Sequence, residues 1–158
     1  GIFDFLEENV RFVGLTLVIT AAFLYFIKDF KGMKDSKQIT LKDSIIIGLF
    51  QMVALLPGIS RSGSTIVGGM TKGLKRDTAF KYSFMLYIPM SLAAMALEIT
   101  DLNIDSSLIF YYICSMVVSL VVTLLVTKWF RKIVNNGKLI YFSIYCFVVG
   151  TFVILFLK

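Results

Sequence analysis

The nine residues Pro57-Gly58-Ile59-Ser60-Arg61-Ser62-Gly63-Ser64-Thr65 bring together one arginine, four hydroxyls, two glycines and a proline. Residues of these types at this spacing suit the binding of an anion, above all a phosphoryl group. The guanidinium is a flat fork of donors that matches phosphate oxygens, and it stays charged at any physiological pH. Ser60, Ser62, Ser64 and Thr65 add hydroxyl donors. Gly58 and Gly63 have no Cβ, so the backbone can come close to a ligand there. A helical pattern ends at Pro57-Gly58 and another starts after it. The new helix start offers free backbone N–H groups and the positive end of a helix dipole at one spot. Gln51, a little upstream, is either a hydrogen-bonding contact between helices or a residue of the site. Ser64, and to a lesser degree Ser62, can instead bond the preceding turn of their own helix. Ser60, directly after the break, is harder to explain that way.

Arg61 is the only charge from residue 44 to residue 71. An ionised arginine at membrane depth costs at least roughly 2.5–3.5 kcal/mol on insertion scales, so it marks a functional site by default. Snorkelling to an interface is the lesser reading, because apolar runs flank it on both sides. The membrane context itself follows from composition. Of 158 residues 58% are hydrophobic, 15 are Phe and 7 are Tyr, and only 16% are charged, which is too apolar for a soluble domain of this length. The net charge of +6 does not indicate nucleic-acid binding. Its lysines and arginines sit in short loops beside apolar segments, where they set orientation and meet anionic lipid. Cys114 and Cys146 fall inside apolar segments and read as small buried hydrophobes, with no disulfide or zinc site implied.

A bilayer-spanning helix needs about 20 apolar residues. Val10–Ile27, Tyr82–Leu97, Leu108–Phe130 and Leu139–Leu157 meet that requirement. Ser44–Leu56 and Ser64–Gly73 are too short to cross alone and flank the Pro57-Gly58 break. Loop charge distinguishes crossing from return. Lys28, Lys31, Lys34, Lys37 and Lys42 precede the broken segment, and Lys72, Lys75, Arg76 and Lys81 follow it. The next loop holds Glu98, Asp101 and Asp105, and the one after holds Lys128, Arg131, Lys132 and Lys138. The positive-inside bias puts both flanks of residues 43–71 on one, cytoplasmic face, so the broken segment enters the bilayer and returns. Two tilted short spans with an outside loop at 57–65 are the alternative. Non-helical backbone at depth must be buried in protein or line a wet cavity, which places the Pro57–Gly63 turn near the midplane facing a polar pocket. Pro89 removes a hydrogen bond from its span and bends it, while Gly68, Gly69 and Gly73 read as small residues for close helix packing. The expected fold is an all-α integral membrane protein of about four transmembrane helices plus one re-entrant helical hairpin at about 43–73. Residues 1–158 form a single membrane domain.

The stretch Gly48-Leu-Phe-Gln51-Met-Val-Ala54-Leu55-Leu-Pro57-Gly58-Ile-Ser60-Arg61-Ser62-Gly63-Ser-Thr65-Ile66 resembles the second signature motif of the undecaprenyl-diphosphate phosphatases, the bacitracin-resistance family. Gly73-Leu-Lys-Arg, Ala79, Ser83-Phe84 and Ile88-Pro89 continue the likeness. The resemblance implies a multi-pass enzyme of the bacterial cell membrane with inverted repeats and two re-entrant hairpins meeting at one pocket; this chain corresponds to one repeat. It implies removal of the terminal phosphate of undecaprenyl diphosphate, which recycles the carrier lipid for cell-wall (peptidoglycan) synthesis. It assigns Arg61 to clamp the diphosphate, Ser60 as nucleophile or phosphate ligand, and Thr65 as a hydroxyl contact. It also implies a divalent cation, Mg or Ca, for which this chain offers no ligands. The phosphatidic-acid type of lipid phosphatase requires two histidines, and this chain has none.

The absence of histidine has a second consequence. Hydrolases near neutral pH commonly use it as base, acid or nucleophile, and the acidic residues here lie in loops or at segment ends. The family's first signature, with a glutamate pair and a histidine, is also missing, and Glu7-Glu8 lacks its context. The chain is therefore expected to be the C-terminal portion of the family fold, lacking an N-terminal segment on the order of 100 residues, and inactive alone. Its partners would be the lipid substrate, the bilayer, and the missing half, a partner chain or a second copy in a homodimer. A transporter or channel for anions or lipid phosphates is the competing reading, since helix ends and a lone arginine at the midplane also suit passing anions.

Overall fold

The computed structural model describes residues 9–98 and 106–157. Within them the protein is all-α: α1 Val10–Ile27, α2 Leu41–Val53, α3 Arg61–Thr71, α4 Arg76–Glu98, α5 Ile109–Asn135 and α6 Leu139–Phe156. Single 3-10 turns occur at Ser36–Gln38 and Ser106–Leu108. The one extended pairing among the described residues is an isolated bridge between Lys34 and Leu74. Helices α1, α4, α5 and α6 are each long and apolar enough to cross a bilayer, so the chain is a multi-pass membrane protein. Glu7, Glu8, Asp101, Asp105 and Lys158 lie outside the described residues.

Two helices are longer than their apolar runs. Helix α4 begins at Arg76, not Tyr82, and α5 continues past Phe130 to Asn135. The added turns are charged, and three of their charges pair: Asp77 bonds Lys81 at 2.7 Å and Arg131 at 2.6 Å. Ion pairs at i,i+4 and between helix ends let a helix run on into the polar zone after its hydropathy has stopped. Helix α4 also stays helical through Pro89.

The core lies at one end of the bundle. Leu24 and Ile27 of α1, Ile47 of α2, Ile66, Val67 and Met70 of α3, Phe80 of α4, Val134 of α5 and Leu139 of α6 form one buried cluster. An aromatic series joins the outer helices there, from Phe80 to Phe130 (5.7 Å) and on to Phe142 (5.2 Å). The three basic loops meet at this same end. Arg76 donates to the carbonyl of Lys28 at 2.6 Å and packs against Gly137, while Asn135 donates to Asp77. Farther along, α1 and α6 cross at a pair of glycines, where a Cβ on Gly150 would stand 2.7 Å from the Gly14 carbonyl. Only the small residue lets the two backbones come so close. Helix α5 buries Val134 alone, so Cys114, expected inside, is exposed, while Cys146 on α6 is buried.

Helices α2 and α3 form a hairpin whose two ends are tied together by Lys34. Its ammonium bonds Asp43 in the first turn of α2 at 3.1 Å, and its backbone N–H donates to Gly73 just after α3 at 2.9 Å. Its carbonyl accepts from Lys75 at 3.0 Å. Thr40 caps α2 in a reciprocal capping box with Asp43. Along the hairpin, the Phe50 ring covers Gly68, where a Cβ would meet it at 3.0 Å. Gly68 and Gly69 thus serve close packing, while Gly73 turns the chain with φ +84°.

Candidate active site

The hairpin tip rests on the middle of α1. The Thr16 hydroxyl donates to the Pro57 carbonyl at 2.6 Å, and that of Thr20 donates to the Gly58 carbonyl at 3.4 Å. The Ser60 N–H donates back to Thr20 Oγ1 at 3.4 Å. With a rise of 1.5 Å per residue, Thr16 and Thr20 sit about 9 and 15 Å from the start of an 18-residue helix about 27 Å long. The break is therefore at half the depth of α1. Gly58 adopts φ +85°, and a Cβ on it would lie 2.1 Å from Thr16 Oγ1 and 2.7 Å from the Val13 carbonyl. Its close approach is to α1. Gly63 likewise lies against Ser60 and Leu24, so both glycines make contact with protein where the sequence suggested a ligand.

Helix α3 starts at the tip with Ser60 as its N-cap. The Ser60 hydroxyl accepts from the Gly63 N–H at 3.1 Å, and its carbonyl accepts from Ser64 at 2.9 Å. Capping uses a lone pair of that hydroxyl and leaves its proton free to donate. Arg61 is the first residue of α3, at the positive end of the helix dipole. It is exposed, and none of the described residues bonds its guanidinium.

A cavity of about 350 Å³ opens beside it, lined by Gln51 of α2, Arg61, Ser62 and Thr65 of α3, and Ser83, Phe84, Leu86 and Tyr87 of α4. A second space of about 350 Å³ continues along α4, bounded by Arg61, Tyr87, Met90, Ser91, Ala94, Met95 and Glu98. Arg61 and Tyr87 belong to both, so the guanidinium stands where the two meet. Of the residues singled out in the sequence, Gln51, Arg61, Ser62 and Thr65 converge on the first cavity, while Ser60, Gly58 and Gly63 build the tip behind it. Gln51 fits both of its readings, because it lines the cavity and its amide reaches the Met90 sulfur on α4.

Ser83 entered the sequence reading only as part of the family likeness, with no role at the site. Its hydroxyl is 2.5 Å from that of Thr65, and both side chains are buried. Ser83, Tyr87, Ser91 and Glu98 recur at helical spacing in an otherwise apolar span, a one-sided polar stripe that would have pointed to this face. Thr16 and Thr20 form a similar i,i+4 pair on α1.

Several charged groups elsewhere are paired. The backbone N–H of Thr40, followed by Lys34, holds the Asp43 carboxyl below the usual carboxylate range against the opposing effect of burial. Asp35 pairs with Lys75, and Asp77 with Lys81 and Arg131. Among the described residues no group of three or more acidic, Cys or His side chains could hold a metal ion. Glu98 is the one carboxylate on the cavity walls, so these residues do not fit a divalent-cation site.

The family model described as bacitracin resistance protein BacA matches residues 2–152. Undecaprenyl-diphosphatase 1 of Bacillus licheniformis is 46% identical over 155 residues, covering 96% of this chain and 57% of the relative. Undecaprenyl-diphosphatase 2 of Bacillus thuringiensis is 43% identical, covering 98% of this chain and 59% of the relative. The undecaprenyl-diphosphatase of Oceanobacillus iheyensis is 42% identical, over 96% of this chain and 56% of its own length. The chain thus spans somewhat more than half the length of these relatives. A match that runs through the anchored tip, the Arg61 cavity and the spans around them makes this chain a member of the bacitracin resistance protein BacA family.

Proposed function

We propose that this chain supplies the diphosphate-binding wall of a membrane phosphatase that hydrolyses undecaprenyl diphosphate to undecaprenyl phosphate and inorganic phosphate. One observation carries the reading: a guanidinium with no protein counter-ion among the described residues, at half the depth of a membrane span, opening on a cavity edged with hydroxyls. Charge-assisted bonds to an anion offset the cost of holding an arginine there. Phosphoryl transfer draws mostly on positioning and electrostatic stabilisation, and Arg61 with the α3 N-terminus provides both. Ser62 and Thr65 donate hydroxyl bonds beside it, and Gln51 orients the head group from α2. Ser60 enters as phosphate ligand or nucleophile through the proton that capping leaves free.

In the bilayer, α2 and α3 form a re-entrant hairpin. Its tied ends share the basic, cytoplasmic face of the bacterial cell membrane, and its tip is at the midplane. The names of the relatives and the family match support the substrate. The remaining family length, in the same polypeptide or in a partner chain, would provide the opposite wall and the ligands of a Mg or Ca ion, which when bound supplies countercharge to the diphosphate.

Phosphate release from undecaprenyl diphosphate by the native polypeptide in detergent tests this. Arg61→Lys keeps the charge and loses the fork; it and Arg61→Ala are each expected to lower kcat/KM by about 10²-fold or more, the scale of losing one preorganised donor set. Near-normal turnover in both variants removes the clamp assignment. Phosphate or lipid translocation by reconstituted vesicles without hydrolysis replaces the enzyme reading with a transporter.

A further inference from the structure

We infer that Ser83 is a positioning residue of this site: its hydroxyl holds Thr65 so that Thr65 can turn its own proton to the bound anion. The inference rests on the phosphatase reading above. Thr65 Oγ1 has three neighbours, the carbonyls of Arg61 (3.2 Å) and Ser62 (3.1 Å) and Ser83 Oγ (2.5 Å). The carbonyls only accept, and a threonine hydroxyl has a single proton. While the cavity is empty, that proton satisfies a carbonyl of its own helix or Ser83. In the second case Ser83 can pass its proton to the Ser62 carbonyl at 3.4 Å.

A phosphoryl oxygen in the cavity is also purely an acceptor. To bond it, Thr65 must release its proton from these partners, and its buried oxygen must then be held by a donor. Among the described residues Ser83 is the one side chain bonded to Thr65 that can donate, and 2.5 Å is already at the short limit for an O–H···O bond. The pair lies on facing helices, α3 and α4, both on the cavity wall. A donor from α4 therefore reaches Thr65 without coming from its own backbone. A chain of two hydroxyls also makes Thr65 a stronger donor than a lone one. Nothing in the motif around Arg61 contains this residue, since Ser83 is eighteen positions beyond Thr65.

The test is a kinetic cycle in the native polypeptide with undecaprenyl diphosphate, using Ser83→Ala in backgrounds carrying Thr65, Thr65→Ser and Thr65→Ala. Ser83→Ala is expected to lower kcat/KM about tenfold with Thr65 or with Ser at 65, the scale of one hydrogen bond to a charged acceptor, and to have no further effect in the Thr65→Ala background. A role confined to packing would give the same factor in all three backgrounds, and that result overturns the inference. Wild-type kcat/KM in Ser83→Ala overturns it as well. The wild type and Arg61→Lys, assayed alongside, separate the two ideas. If the wild type releases phosphate and Arg61→Lys does not while Ser83→Ala is normal, Ser83 alone is misassigned. If the wild type releases none, the phosphatase reading itself fails, and the Ser83 inference fails with it.

Discussion

Replacing Gly58 by alanine should loosen the hairpin tip from α1, and the structure sets the size of the effect. The backbone at Gly58 has φ +85°, a conformation that costs an L-residue about 1–2 kcal/mol. The new Cβ would lie 2.1 Å from Thr16 Oγ1 and 2.7 Å from the Val13 carbonyl. The threonine can rotate away, but it then gives up its 2.6 Å bond to the Pro57 carbonyl, a further loss of about 0.5–1.5 kcal/mol. The carbonyl belongs to α1 and cannot yield without moving the helix. Together the strain and the lost bond give about 1.5–3.5 kcal/mol, which for a chain of this size lowers the melting temperature by about 3–14 °C. Thermal unfolding of the purified protein in detergent, followed by circular dichroism, measures it. Adding Thr16→Ala to Gly58→Ala removes one of the two clashes, so it should recover part of the loss and not all. Phosphate release should fall in parallel, because Arg61 is three residues from the strained position. A Gly58→Ala protein melting within about 2 °C of wild type would refute the claim that the tip is seated on α1.

Two other outcomes follow from the base of the hairpin. With Cys114 and Cys146 replaced by serine, cysteines introduced singly at Ser36 and Lys75 should react with an impermeant maleimide from the same side of sealed vesicles; reaction from opposite sides rules out a re-entrant hairpin. Asp43 titrates lower in the folded state than in the unfolded one, mainly because the Thr40 N–H bonds its carboxylate. Its contribution is therefore fully present above the unfolded value of about 3.9 and is lost as pH falls through the lower folded value. The melting-temperature gap between wild type and Asp43→Asn should hold constant from pH 7 to about 5 and close below about pH 4, and a gap independent of pH down to 3 would show that the carboxylate does not stabilise the fold.

Hydropathy and turn chemistry made much of this architecture legible. Val10–Ile27 appears with the expected bounds, because Asn9 caps its first turn and the mostly apolar run stops at Lys28. The Pro57-Gly58 break was equally visible, since proline lacks a donor and glycine tolerates the left-handed backbone. The charged first turns of α4 and the last turn of α5 were not, because Asp77 is stabilised by Arg131, a partner more than fifty residues away. The same reason hid the role of Gly58. Its missing side chain can be read from the sequence, but which span passes 2.1 Å from the space cannot. Ser60 illustrates a competition between roles: a serine after a helix break suggests a phosphate ligand and an N-cap equally well, and the structure places it at the cap.

The threonines of α1 explain how such a site can exist without a histidine or a paired carboxylate beside Arg61. A break in a helix at membrane depth frees backbone carbonyls that lipid cannot satisfy. Thr16 and Thr20 meet that demand, donating to Pro57 and Gly58 from one face of an apolar helix. Each hydroxyl has a single proton, shared between the tip carbonyl and a carbonyl of α1, that of Val13 for Thr16 and that of Thr16 for Thr20. The tip is thereby fixed by groups that carry no charge. Had the anchor been a carboxylate, it would have neutralised the guanidinium a few residues away and left little attraction for a diphosphate. On the proposed reading, neutral anchoring behind Arg61 and neutral hydroxyls beside it keep its charge available to the diphosphate. The groups that seat the tip on α1 are uncharged, and the ion pair that ties the hairpin, Lys34 with Asp43, lies at its far end.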